Sequence, residues 1–363
     1  MKAWVLHGIG DFRLEEADEP VLAKGEVLVS VKAAGICGSD IPRVYRTGTY
    51  SYPTIPGHEF SGMVVKTGEG ADPGWLNKRV GVFPLIPCGS CVSCKKRQYE
   101  MCRHYGYLGS RQDGGFAEYV AVPQWNLIEL PDQVTYEQAA MLEPMAVAAH
   151  AGRAADGIGL NSVINGGGCG VWEREGPVVI CGLGTIGLLL AMFFLEAGHN
   201  NLLVIGNKES QREKVLKLGL PETNFCNSKD EDVLKWVHDK TNGLGAGVFY
   251  ECVGRNETVT MAVEAAAPGG TVQLVGNPAS DITLEKNCYW KILRNQLTVK
   301  GCWNSSFTHD KKDDWHYALD RISAGRIAPE RFITQKFGFE ELDRGFLMMR
   351  DKTREYVKVM VVR

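Results

Sequence analysis

Residues Val178 to Leu195 read V-V-I-C-G-L-G-T-I-G-L-L-L-A-M-F-F-L, eighteen positions without a charge. That length satisfies the rule for a membrane span. Three glycines, at 182, 184 and 187, follow a β-branched run and argue against a span. The stretch is predicted to be a buried strand, a tight turn and a buried helix. Gly182-Leu183-Gly184-Thr185-Ile186-Gly187 has the G-x-G-x-x-G spacing of a dinucleotide-binding turn. The first glycine makes the turn, the second admits a pyrophosphate, and the third lets helix pack on strand. The helix N-terminus offers unpaired N–H groups to the phosphate.

Such a turn needs a parallel sheet around it, and the flanking sequence supplies one. Strands are predicted at 177–181, 201–205, 247–250, 270–275 and 297–301. Helices are predicted at 188–196, 210–218, 230–240 and 256–266. This alternation gives right-handed βαβ units and an α/β, doubly wound fold. The strand after the glycine turn ends Val204-Ile205-Gly206-Asn207-Lys208. Gly206 stands where a carboxylate would bind a ribose 2′-hydroxyl, about 20 residues on. Without that acid a 2′-phosphate is not repelled, and Lys208 with Arg212 would pair with it. NADP(H) is therefore favoured. In the alternative, Asn207 binds the ribose and NAD(H) is the cofactor.

The first 145 or so residues have a different texture. Segments 25–32, 59–66, 78–83 and 115–122 read as short strands separated by Gly and Pro, as in a barrel-like β unit. Helical spacing appears over 136–155, and the last 60 residues add a helix near 315–324 and a strand at 357–362. No internal repeat or low-complexity tract is present.

Eleven cysteines, an odd number, make a poor disulfide framework, and M-K-A-W-V-L-H-G lacks the features of a secretory signal. The expectation is a cytoplasmic protein whose cysteines bind metal or sit in cores. Cys88, Cys91, Cys94 and Cys102 lie within fifteen residues. Four thiolates so spaced close a tetrahedron around zinc with no open position, which makes the site structural. An iron–sulfur cluster is the alternative, but no Cys-Pro follows the last ligand. Lys95, Lys96 and Arg97 would offset the charge. A second set, Cys37-Gly38-Ser39-Asp40, Gly57-His58-Glu59 and Glu143-Pro144, offers thiolate, imidazole and carboxylate. Three such ligands leave a fourth position for water or substrate. A hydrophobic content of 44% with 23% charged residues suits a globular core, and a net charge of −3 argues against nucleic-acid binding.

Taken in order, Cys-Gly-Ser-Asp, Gly-His-Glu, the four-cysteine lobe, Gly-Gly-Phe-Ala-Glu-Tyr (114–119), Glu-Pro and the glycine turn resemble the zinc-containing medium-chain dehydrogenase/reductase family. The resemblance covers almost the whole chain and is strongest to the polyol dehydrogenases, over 37–43, 57–62, 109–119 and 291–306. It implies a GroES-like catalytic domain from 1–146 and 303–363, a structural lobe at about 86–104, and an inserted Rossmann domain from 147–302. It implies that Cys37, His58 and Glu143 bind a catalytic zinc, with Glu59 a ligand or close neighbour. Ser39 would relay the substrate proton, and Cys88, Cys91, Cys94 and Cys102 would bind the second zinc. The implied reaction is hydride transfer between a secondary alcohol of a polyol, or of a polyol phosphate, and NAD(P). Sorbitol, threonine and simple alcohol dehydrogenases of the same frame are alternatives, as is a nucleotide-binding protein without chemistry. The implied assembly is a homodimer or homotetramer. Arg43, Arg46, Arg111 and Lys291 are candidates for gripping a phosphate; Tyr45, Tyr50, Phe60 and Trp303 are candidate pocket residues. The stretch 161–176, with Cys169, departs from the family pattern.

Overall fold

The computed structural model of the protein describes residues 1–155, 177–278 and 280–363. The 161–176 stretch and its Cys169 lie outside the described residues. The chain forms two compact units, Met1–Ala146 with Ser305–Arg363, and Val147–Asn304.

The second unit is built on six parallel strands in the order Phe225–Asn227, Leu202–Gly206, Val178–Cys181, Ala246–Glu251, Ala266–Leu274, Thr298–Gly301. Counted along the unit this is the order 3-2-1-4-5-6 of doubly wound sheets. All five strand expectations appear here. The sixth, Phe225–Asn227, has three residues, too few to show a period. The uncharged run becomes the strand Val178–Cys181 and the helix Thr185–Glu196. That helix is about 18 Å long, well short of the ~30 Å hydrocarbon core. It carries no charge before its last residue, Glu196, because it is buried from Gly187 to Phe194. Among the described residues no helix is long and apolar enough to cross a membrane.

The helix begins at Thr185, three residues before the predicted start, because the first turn serves the glycine loop. A Cβ on Gly187 would overlap the Gly182 carbonyl oxygen, so close helix–strand packing requires glycine there. The helix Lys286–Arg294 was not anticipated, because it turns Tyr289, Trp290 and Leu293 outward.

The first unit centres on the long strand Glu26–Ile36. Its first half pairs with Tyr119–Pro123, its last with Lys358–Val362, and Glu59–Thr67 lies along its other edge. Arg79–Val82 and Leu127–Glu129 extend one side of the sheet, and Ile333–Gly338 the other. The core includes Val27, Val29, Val31, Phe60, Phe116 and Phe346, the last from the helix Leu342–Asp351. Two expectations need adjustment. The strand foreseen at 115–122 begins only at Tyr119, because Gly114, Gly115 and Phe116 donate instead to the carbonyls of Ile55, Gly57 and Pro56. The helix foreseen over 136–155 is two helices, Tyr136–Ala140 and Leu142–Ala154.

Candidate active site

Sheet register assembles the site. Glu26–Ile36 runs into Cys37, Gly35 lies opposite Glu59, and Ile36 lies opposite Val359. Glu59 therefore comes from the start of one neighbouring strand, with His58 immediately before it, and Lys358 from the other. A Cβ on Gly35 would overlap the Glu59 carboxylate, so this glycine makes its room. Before His58, Gly57 has φ +99°, a left-handed conformation open to glycine.

Cys37, His58 and Glu59 offer donor atoms within 4.8 Å of one another. Asp40, fully buried, supports two of them. It accepts from the Cys37 backbone N–H at 3.0 Å and stands 3.4 Å from Nδ1 of His58, which has no hydrogen-bond partner among the described residues. Arg43 donates to Asp40 at 2.5 Å and so is committed there. Burial opposes charge on Asp40, yet His58 and Arg43 hold its pKa below the ordinary value. Burial also opposes charge on His58, and Asp40 with Cys37 overcomes it, raising the pKa. A carboxylate beside a ligating imidazole fixes the ring's orientation. Thiolate, imidazole and carboxylate donors brought this close together fit a zinc ion.

The structure brings Glu59 to Cys37 and His58, whereas Glu143 stands outside that trio. Glu143 lies in the first turn of Leu142–Ala154, where Tyr107 Oη donates to it at 3.4 Å. Burial pushes the Glu143 carboxyl up to about 7. The Tyr107 ring is 5.8 Å from that of His58. Lys358 forms an ion pair with Glu59 and donates to the Ile36 carbonyl at 3.2 Å. Lys358 and Glu59 side chains are 2% and 1% exposed. Burial disfavours the ammonium, but Glu59 and Cys37 keep its pKa raised. Ser39 is half-buried at the start of the Asp40–Pro42 turn, and its hydroxyl makes no capping bond.

The four cysteines of the lobe also meet. Cys88–Cys94, Cys91–Cys94 and Cys91–Cys102 are 3.9, 3.6 and 4.0 Å apart at sulfur. Four zinc–sulfur bonds of about 2.3 Å require sulfurs roughly 3.8 Å apart, so the set fits a tetrahedral ion. The Ser90 backbone N–H pulls Cys88 down to about 5, while burial pushes Cys94 up to about 12.

In the second unit Gly184 caps the helix, and a Cβ there would meet nothing within 4 Å. That open cradle beside a helix N-terminus fits a pyrophosphate. At Gly206 a side chain would press on Gln211, Phe225 and Leu183. Asn207 N–H donates to Gln211 Oε1 at 3.0 Å. Lys208 is exposed, with no ion pair among the described residues, whereas Arg212 pairs with both Glu209 and Glu222.

The remaining candidates scatter. Lys291 donates to the Glu264 carbonyl in the second unit. Phe60 is core, Tyr45 packs on Phe346, and Trp303 is exposed in the second unit. Arg46 is exposed, and Arg111 stacks on Tyr50. Sequence reasoning assigned no role to Asp40, Tyr107 or Lys358. A lysine inside Lys358-Val-Met-Val-Val362 was the one available signal, since a charge in a buried strand needs a partner.

Comparison with known proteins identifies the family. Residues 23–132 match the family model "Alcohol dehydrogenase GroES-like domain", and residues 185–324 match "Zinc-binding dehydrogenase". The chain is 32% identical over 341 residues to galactitol 1-phosphate 5-dehydrogenase of Escherichia coli K12, covering 94% of each. It is 30% identical over 368 residues to sorbitol dehydrogenase of Halalkalibacterium halodurans, covering 99% of each. Among solved structures, galactitol-1-phosphate dehydrogenase from Escherichia coli superposes with a TM-score of 0.87 at 31% identity, covering 100% of both chains. A zinc-binding dehydrogenase from Sinorhizobium meliloti bound to NADP gives 0.85 at 26% identity, covering 100% of this chain and 99% of that one.

Proposed function

The chain belongs to the zinc-dependent medium-chain dehydrogenase/reductase family and is an oxidoreductase, and on that premise we propose that it oxidises a secondary alcohol of a polyol phosphate. The substrate reading rests on one observation, the likeness to a galactitol 1-phosphate dehydrogenase along 94% of the chain. Sorbitol-type polyols are the second reading, favoured by the 99% coverage of a sorbitol dehydrogenase.

Cys37 and His58, with Glu59 or Glu143, would hold a catalytic zinc. When bound, zinc is a Lewis acid that lowers the pKa of an alcohol. Asp40 orients His58 and anchors the Cys37 backbone. Ser39 accepts the proton of the substrate hydroxyl and passes it to solvent. A nicotinamide cofactor held at the glycine turn of the second unit would supply the hydride acceptor. Lys358 and Tyr107 fix the two glutamates. Cys88, Cys91, Cys94 and Cys102 would hold the structural zinc.

We assign NADP(H) as the cofactor, with Lys208 as the contact to the 2′-phosphate. Arg212 contributes less than its position suggested, because Glu209 and Glu222 already occupy it. A homo-oligomer is proposed as well. Val299 is exposed on the edge strand Thr298–Gly301, Trp303 shortly after it, and Tyr289, Trp290 and Leu293 on the helix Lys286–Arg294; light scattering that found a monomer would refute it. Cytoplasmic localisation is proposed from the chemistry of free thiolate sites, and fractionation tests it.

The deciding experiment measures NADP⁺ and NAD⁺ reduction with free polyols and their phosphates, beside zinc analysis of the same preparation. The expected result is turnover of a polyol phosphate with NADP⁺ preferred and two zinc ions per chain. Preference for free polyols refutes the substrate reading. A clear preference for NAD⁺ refutes the cofactor assignment.

A further inference from the structure

Arg111 lies on a loop packed against the residue that precedes His58. Gly109 and Gly114 press so closely on Gly57 that a Cβ on either would collide with its backbone. Gly57 immediately precedes His58, so the loop is fixed relative to that imidazole. Within it, the N–H groups of Ser110, Arg111 and Gln112 all point to the Tyr107 carbonyl, giving a tight turn. Thr49 Oγ1 donates to the Ser110 carbonyl and ties segment 48–53 to the same turn.

This turn holds the guanidinium of Arg111 between two rings. Its Cζ is 3.9 Å from the centroid of Tyr50 and 4.6 Å from that of Tyr105. Tyr105 lies 6.2 Å from Tyr107, and Tyr107 touches both His58 and Glu143. A planar guanidinium gripped on its faces still has in-plane N–H donors at its edge. Among the described residues no carboxylate pairs with Arg111, although Asp113 is two positions away. Asp113 instead accepts from the Ile55 backbone. Tyr50 is 69% exposed, so the stacked guanidinium stands at the surface. The contrast with Arg43 is direct, since that arginine is consumed by Asp40.

We infer that Arg111 is a specificity-determining residue that binds the phosphate group of the substrate by its free edge, while Tyr50 and Tyr105 hold the guanidinium plane. This inference rests on the polyol-phosphate reading above and adds the residue that enforces it. Stacking lowers the ordering cost of the side chain, and a guanidinium edge matches a phosphate with two parallel hydrogen bonds.

The test is steady-state kinetics of the zinc-loaded enzyme with galactitol 1-phosphate and galactitol as a pair. Arg111→Gln should lower kcat/KM for the phosphate roughly ten- to a hundredfold, mostly through KM, the loss expected of a charged hydrogen bond. The same variant should leave galactitol turnover within about twofold of wild type. Arg111→Lys keeps the charge without the fork and should fall between. Inorganic phosphate should compete with galactitol 1-phosphate in the wild type and much more weakly in Arg111→Gln. If the wild type favours the phosphate and Arg111→Gln keeps that preference, the assignment of Arg111 is wrong while the substrate reading stands. Equal losses on both substrates also overturn the assignment. A wild type with no preference for the phosphate overturns the substrate reading and this inference with it.

Discussion

Replacing Lys358 by Met tests the central electrostatic feature of the site. The ammonium is nearly fully buried, paired to Glu59 and bonded to the Ile36 carbonyl. Met keeps most of the side-chain volume, so the main loss is the charge. Glu59 is then left buried without its counter-ion, near Glu143 and Cys37. Breaking one half of a buried pair costs about 3–5 kcal/mol. For a unit of about 200 residues this lowers Tm by roughly 6–20 °C. A zinc ion reaching Glu59 would itself supply positive charge, so the cost should shrink in zinc-loaded protein. The assay is thermal unfolding of wild type and Lys358→Met, each with the catalytic metal stripped and restored, with lobe zinc checked by metal analysis. The double variant Glu59→Leu/Lys358→Met removes both charges and should recover most of the loss in stripped protein. A loss below about 1 kcal/mol in the stripped single variant would refute the buried-pair reasoning. A loss that zinc leaves unchanged would place Glu59 out of reach of the metal.

Two further outcomes follow from other contacts. Cys94→Ala removes a buried thiol that is proposed as a ligand of the lobe and should yield protein with one zinc fewer and early proteolysis within 86–104; full zinc content would refute the closed four-thiolate site. The hydrogen bond to Asp313, outweighing partial burial, raises the pKa of His316 above its ordinary value of 6.5. A raised folded-state pKa means this pair stabilises fully below the unfolded pKa, near 6.5, and its contribution fades as pH climbs through the higher folded value. The Tm difference between wild type and His316→Gln should therefore be larger at pH 5.5 than at pH 9, and a difference that grows with pH would contradict the pairing.

What the sequence determined by itself was local. Strand, glycine turn and helix at 178–196 are written in adjacent residues, because each glycine answers a steric demand set within ten positions. The lobe is equally local, since the Cys88–Cys102 spacing alone brings four sulfurs to tetrahedral distances. The parallel sheet was legible because its strands are apolar runs between helical periods, and only the three-residue strand and the outward-facing helix escaped. The candidate ligands Cys37, His58, Glu59 and Glu143 were readable as residue types in order. Their grouping was not, and Glu59 rather than Glu143 joined the trio because the strand register sets Gly35 opposite Glu59. The pairing of Lys358 with Glu59 spans 299 residues and depends on the strand Lys358–Val362 docking beside Ile36. Arg212 and Arg43 look equivalent to Arg111 in the sequence, yet carboxylates claim the first two and tyrosines stack on the third. Charge and hydrogen-bonding partners are settled by proximity in space. A chain read in one dimension carries steric and periodic constraints between neighbours, and only the packed sheet decides which distant charges meet.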